Sequence, residues 1–377
     1  MTPEAILADL VACADLPGQA NARVADCVTG HLRRMGLTPE ILPGPEGDRV
    51  NIFASIGPRD RPGVILSGHM DVVPVEGQVW SSDPFRLTAR EGRLYGRGTS
   101  DMKGFLACML AALPDFLRAP LARPVHLAFS YDEEIGCRGV PHLIAALPGL
   151  CAPPQACIVG EPSDMRPVRA HKGKQATRIG FRGRAAHSSQ PAAGVNALYA
   201  GAEMALVARA LNAELGRTGP FDADFQPPHS TVVAGVIQGG TAVNIVPDQC
   251  RLDVEVRSIP GDDPAVVTQR LLERAQGLVD EGAALDLSFE VLSSYPALAP
   301  ADDVLTALLE RLSGQSAVHS VSYGTEAGLF RAAGIPSIIC GPGSITRAHR
   351  SDEYILPEEL AACCAMLGRL AEDLAER

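Results

Sequence analysis

The sequence predicts an α/β protein: a mixed-sheet domain covered by helices and interrupted by an α+β insert of ferredoxin-like order. Three observations predict it. Short β-rich runs alternate with helical stretches at both ends of the chain. A middle segment has its own β-α-β-β-α-β rhythm. The length, 377 residues, accommodates two domains at about 150 residues each.

Strands are expected at 49–56, 63–67, 125–130 and 156–159, with helices at 102–113 and 137–147. Toward the C-terminus come a helix at 302–312, a strand at 317–321, a helix at 326–333, a strand at 336–340 and a helix at 358–375. Pro336 suits the first position of its strand, because it has no N–H to give a ladder. The insert reads as strand 175–183, helix 194–213, strands 230–238 and 248–257, helix 263–280 and strand 285–292. The expected domains are therefore 1–174 with 293–377, and the insert 175–292. The Pro-rich stretch Thr218–His229 is an excursion of that insert.

Composition narrows the function. With 46% hydrophobic and 20% charged residues, the chain reads as an ordinary globular protein. Its formal net charge of -11 argues against nonspecific binding to nucleic acid or an anionic membrane. No apolar run approaches a membrane span, and no basic leader precedes the first apolar stretch, so the cytoplasm is the expected compartment. The 10 cysteines include no C-x-x-C pair and are expected to pack as small hydrophobes in a reducing compartment.

The chemistry-bearing residues gather just after expected strands, where open α/β sheets collect ligands. In Ser67-Gly68-His69-Met70-Asp71, the histidine and aspartate would face the same way if the strand continued. There the acid can fix the histidine's orientation at a metal; a surface histidine beside a turn is the equal alternative. In Gly96-Arg97-Gly98-Thr99-Ser100-Asp101, Asp101 precedes a helical run, and taken alone it reads as an N-cap. Asp132-Glu133-Glu134 follows another strand, and three adjacent acids repel one another unless cations are near. They fit a solvated turn, or one metal ligand beside one general base. Gly160-Glu161-Pro162-Ser163 and Ala348-His349-Arg350-Ser351-Asp352-Glu353 complete the set. Each has an ordinary reading alone; together, on the strand ends of one sheet, they do not.

The ordered runs SGHMDVVP, GRGTSDMKG, DEEIGC, GEPS and GPGSITRAHRSDEY resemble those of the dinuclear zinc amidohydrolases and peptidases. That family includes acetylornithine deacetylase, succinyl-diaminopimelate desuccinylase, aminoacylase and carboxypeptidase G. The resemblance covers nearly the whole chain and points to the acetylornithine deacetylase branch through Val168–Gly173, Ala186–Ser189 and Tyr323–Ala327. A departure is Arg350-Ser351, where that branch more often carries a proline before Asp-Glu.

Residue by residue, the resemblance implies that His69 and Glu161 hold one metal, and Glu134 and His349 the other. Asp101 bridges them, Asp71 orients His69, and Glu133 is the general base and acid. His187 of the insert is implied as the oxyanion donor, supplied by the partner subunit in dimeric members. Arg257 is implied as the ligand of a substrate carboxylate, with Asn244, Lys172 and Thr325 nearby. Glu326 is suited to a cationic side chain; an ordinary surface salt bridge is the alternative for Arg257 and Glu326. Trp80 is expected to be a packing anchor.

The ligand set suits Zn²⁺ or Co²⁺ without a thiolate. The function implied is hydrolysis of an N-acyl amino acid by a homodimer whose insert is a lid and dimerisation domain. N-acetyl-L-ornithine, in arginine biosynthesis, is the leading substrate. The alternatives are another acyl-amino-acid hydrolase, a desuccinylase, a dipeptidase, or a metal-binding relative without catalysis. The last is disfavoured because every ligand position and Glu133 are present. A serine hydrolase lacks its G-x-S-x-G run and a zincin its H-E-x-x-H.

Overall fold

A computed structural model of the chain describes residues 1–375. The chain divides into two compact units. The first comprises Met1–Ala170, Leu298–Ser320 and the chain from Thr325 onward; the second comprises His171–Ala297 and Val321–Gly324.

The first unit is built on an eight-stranded mixed sheet. Across it run Glu40–Pro43, Val50–Ile56, Val125–Ser130, Val64–His69, Ala156–Pro162, Ser337–Gly341, Val168–His171 and Val318–Val321. The strands Val125–Ser130, Val64–His69, Ala156–Pro162 and Ser337–Gly341 are mutually parallel. Each of these is buried along its whole length, because a parallel sheet is covered on both faces and its strands are mostly apolar runs rather than alternating ones. The helices Pro3–Val11, Lys103–Ala111 and Pro357–Ala375 supply much of that cover: Phe105, Leu106, Met109, Leu360, Cys363 and Leu367 share one core with Leu66, Leu127 and Ile158. Pro336 stands immediately before its strand.

Two local departures from expectation place functional residues. The strand expected to stop at 159 continues to Pro162, so Glu161 belongs to the sheet itself. The helix expected from 137 begins at Val140. The preceding residues form a turn in which Asp132 (φ 54°) and Cys137 (φ 55°) take the left-handed backbone.

The second unit is a four-stranded antiparallel sheet in the order Thr231–Gly239, Gln249–Ser258, Gly173–Arg182, Asp286–Tyr295. With helices Ala197–Thr218 and Pro264–Asp280 between strands, this is the ferredoxin-like arrangement. Both helices begin where a side chain caps them: Asn196 accepts from the Leu198 amide, and Asp263 from that of Ala265, with Pro264 in the first turn. Along Gly173–Arg182 burial alternates strictly. Ile179 and Phe181 join Met204, Leu252 and Leu271 in the core. The opposite face carries ion pairs, among them Arg178 bidentate to Asp253 at 2.8 Å. The unit extends beyond residues 175–292 because its first strand begins at Gly173 and its last runs through a bulge to Tyr295.

Candidate metal centre

The carboxyl ends of the four parallel strands bring His69, Glu133, Glu134, Glu161 and His349 toward one place. Residue His69 ends its strand in register with Ser130, which leads directly into Asp132-Glu133-Glu134. The Ser337–Gly341 strand leads through a glycine loop to His349. At Gly160 a side chain would run into the Phe105 ring, and at Gly343 (φ 82°) into Ser100. Gly160 therefore lets the Phe105 ring lie against its strand, and Gly343 lets its loop approach Ser100.

Asp101 lies at the centre. Its Oδ1 is 3.2 Å from His69 Nε2 and its Oδ2 is 3.2 Å from His349 Nε2. His69 Nε2 is also 3.9 Å from Glu161 Oε1, and His349 Nε2 is 3.1 Å from Glu134 Oε2. Donor atoms of His69, Asp101 and Glu134, and again of His69, Glu133 and Glu161, converge closely enough to share an ion. The N-cap alternative for Asp101 fails: the following helix is capped at Met102 without any side-chain bond, and the carboxylate is turned to the two histidines instead.

Burial of so many acids shapes their charge. Burial pushes Glu133 up to about 8, with Glu134 and Glu326 adding to the effect and His69 opposing it. Burial also raises Glu134 and Glu161. Asp101 goes the other way: burial opposes its charge, yet bonds from His349 and His69 hold it below the usual carboxylate range. Bonds to Asp101 and Glu134 raise His349 to about 10. His69, also raised, is buried against its charge but bonded to Asp101 and close to Glu161. Carboxylates gathered at this density are the setting a pair of dications would neutralise.

The surrounding contacts correct several expectations. Because the strand ends at His69, Asp71 does not follow it in strand alternation. Its backbone carbonyl receives His69 Nδ1 at 2.8 Å, while the carboxylate stands 3.7 Å away and accepts the amides of Glu133 and Glu134. Asp132 has a cation after all: it pairs with Arg49 and accepts the Gly18 amide at 2.7 Å. Glu326 is 1% exposed and receives Ser67 Oγ, which rules out the surface-charge alternative. Thr325 is buried and accepts the Ala327 amide. The half-buried Trp80 donates to Gln78 and lies under the Arg97 guanidinium.

Four of the residues that the resemblance implies lie in the second unit. Exposed His187 bonds to Ser189, and the carbonyl of Asn244 accepts the Ser188 amide. Arg257 is paired with Glu255 at 2.7 Å and donates to the Ser322 carbonyl. Lys172 is buried, its ammonium held by the carbonyls of Pro227 and His229, both at 2.8 Å; the salt-bridge alternative thus describes Arg257 but not Glu326.

Sequence reasoning passed over Cys137, whose thiol donates to Glu133 Oε1 at 3.3 Å. It named Glu353 only within the His349 run and gave it no role of its own; its carboxylate accepts the amides of Ser100 and Asp101. The signal for Glu353 in the sequence is an acid four residues after His349. The described cysteines are all unpaired and most are buried.

An α/β sheet that presents two histidines and three glutamates around one central aspartate has the donor set of a metallohydrolase of dinuclear type. The model of peptidase family M20/M25/M40 matches residues 65–373, and the chain belongs to that family. It is 37% identical over 373 residues to an acetylornithine deacetylase of Myxococcus xanthus, with 97% of this chain and 95% of the relative covered. Among solved structures, an M20 metallo-carboxypeptidase of Sulfolobus solfataricus superposes with a TM-score of 0.76 at 17% identity, covering 100% of both chains. A dinuclear-metal-binding peptidase of Bacillus subtilis gives 0.64 at 17%, covering 98% of this chain and 97% of its own. The chain is a hydrolase, and no helix among the described residues is long and apolar enough to cross a membrane.

Proposed function

We propose that the chain hydrolyses N-acetyl-L-ornithine to L-ornithine and acetate in arginine biosynthesis, as a two-metal enzyme. The observation that carries the two-metal reading is Asp101, whose two oxygens each lie 3.2 Å from a different histidine. The donors are imidazole and carboxylate, with no thiol among them, which suits Zn²⁺ first and Co²⁺ second. His69 and Glu161 are assigned to one ion, Glu134 and His349 to the other, and Asp101 to both.

Bound together, such ions supply Lewis acidity that brings the pKa of a water toward neutrality. The chain's own part is proton movement and positioning. Glu133 takes a proton from the attacking water and returns it to the leaving amine, the work of a general base and then acid. Asp71 holds the backbone of Glu133 and Glu134 through its two amide contacts. We assign His187 to the oxyanion and Arg257 to the substrate carboxylate, since a guanidinium matches a carboxylate in a fork. Asn244, Lys172, Thr325 and Glu326 are assigned to the surroundings of the substrate.

The insert, 175–292, is assigned as a lid and as the interface of a homodimer. In support, its edge strand Thr231–Gly239 exposes Val233, Val236 and Ile237 beside an unpaired row of backbone groups. Unpaired thiols suit the reducing cytoplasm.

A panel of N-acetyl, N-formyl and N-succinyl amino acids, assayed with added Zn²⁺ and with Co²⁺, tests the assignment. N-acetylornithine should be turned over fastest. Preference for a succinyl or dipeptide substrate would replace it, and no amide hydrolysis at all would remove the catalytic reading.

A further inference from the structure

We propose that Gln78 is a positioning residue for the metal centre: its carboxamide holds His349, through Arg97 and Glu353, in register with Asp101. The inference rests on the two-metal reading above.

His349 adopts φ 61°, the left-handed region that favours glycine, which an L-residue enters at a cost. Surrounding contacts must therefore fix it. The carbonyls of His349 and Arg350 are both taken. Gln78 Nε2 donates to His349 O at 3.0 Å, and Arg97 Nη1 donates to Arg350 O at 3.2 Å.

The two donors are themselves joined, since Arg97 Nη2 donates to Gln78 Oε1 at 2.5 Å. Arg97 Nη1 also meets Glu353 Oε2 at 2.6 Å, both side chains being 1% exposed. The other oxygen of Glu353 accepts the Ser100 and Asp101 amides at 2.9 and 3.1 Å. One connected network therefore grips the backbone of the bridging aspartate at one end and of His349 at the other. Gln78 is its outermost member, on a surface loop, where Trp80 Nε1 also donates to its Oε1 at 3.1 Å. Of the backbone at the centre it bonds that of His349 alone, and it reaches Asp101 only through Arg97 and Glu353. Glu353 touches the arm that serves both ions.

Partners that orient ligands from outside typically change metal affinity by about 10–100-fold when removed. Here the loss should fall on one ion only. The test uses full-length protein stripped by a chelator, then titrated with Zn²⁺ against a chromophoric competitor and with Co²⁺ by its visible spectrum. Wild type should take up two ions. Gln78→Ala should keep one affinity and weaken the other about tenfold or more, with the melting temperature of the metal-free protein little changed. Gln78→Glu should do the same, because a carboxylate keeps the Arg97 contact but cannot donate to the His349 carbonyl.

Wild-type affinity for both ions in Gln78→Ala overturns the proposal. So does equal weakening of both ions, and so does wild-type affinity in Gln78→Glu alone, which would leave Gln78 as a mere support for Arg97. Uptake of fewer than two ions by wild type overturns the two-metal reading itself, and the proposal with it.

Discussion

His69 Nδ1 is held at 2.8 Å by the backbone carbonyl of Asp71, not by its carboxylate. A carbonyl accepts only, so Nδ1 carries its proton toward it, and Nε2 is the ring nitrogen turned to Asp101. The Asp71 side chain is thereby released to accept the Glu133 and Glu134 amides, at 3.1 Å each. Asn at this position would turn an NH₂ toward one of those amides. Asp71→Asn should therefore lower kcat by about 10–100-fold with KM little changed. Steady-state kinetics decide it, and an unaltered kcat would show that those amides need no carboxylate.

Glu133→Gln keeps the shape of the side chain and removes its capacity to take a proton. Turnover should fall by about 10²–10⁴-fold, the usual share of general acid–base catalysis. Metal content, measured by atomic emission, should remain two per chain. Near-wild-type turnover would place the base elsewhere.

Removal of metal should both abolish activity and make stability depend on pH. In the metal-free chain His349 is raised from 6.5 to about 10. A group whose folded pKa is raised contributes stability fully present below about 6.5 and lost as pH rises toward 10. Glu133, raised by burial from 4.5 to about 8, acts with the same sign over its own interval. The melting temperature of stripped protein should fall between pH 6.5 and 10, and added Zn²⁺ or Co²⁺ should flatten that fall and restore hydrolysis. Full activity after verified removal of metal would refute the mechanism.

Arg257→Ala should weaken substrates with a free α-carboxylate far more than their carboxamide analogues, since only the former offer a forked ion pair. Because Arg257 already binds Glu255, the variant should also leave that acid to Lys174 alone. A parallel Glu255→Gln variant separates the two effects. Equal losses for acid and carboxamide in Arg257→Ala would end the assignment.

Lys172→Met leaves the carbonyls of Pro227 and His229 without their shared donor. An unsatisfied buried group costs about 1–3 kcal/mol, so denaturant unfolding should show a loss of that order. No change in the midpoint would mean that water replaces the ammonium there.

What the sequence determined by itself was the order of elements, because local pattern carries it. Continuous apolar runs became buried parallel strands, alternation became the half-covered strand Gly173–Arg182, and Asp263-Pro264 opened a helix. It also determined which residue types are available: the His and acid runs stand at strand ends, where an open sheet presents them. Only the tertiary structure decided what each does. Asp101 is a shared carboxylate and not a helix cap because His69 and His349, distant in sequence, both reach it. Asp71 serves two amides because its strand ends at His69. Gln78, Arg97 and Glu353 acquire a role only when the His349 turn folds back on the Asp101 loop. Propensity acts over a few neighbours, whereas a hydrogen bond is satisfied by whichever group the packed chain brings within about 3 Å.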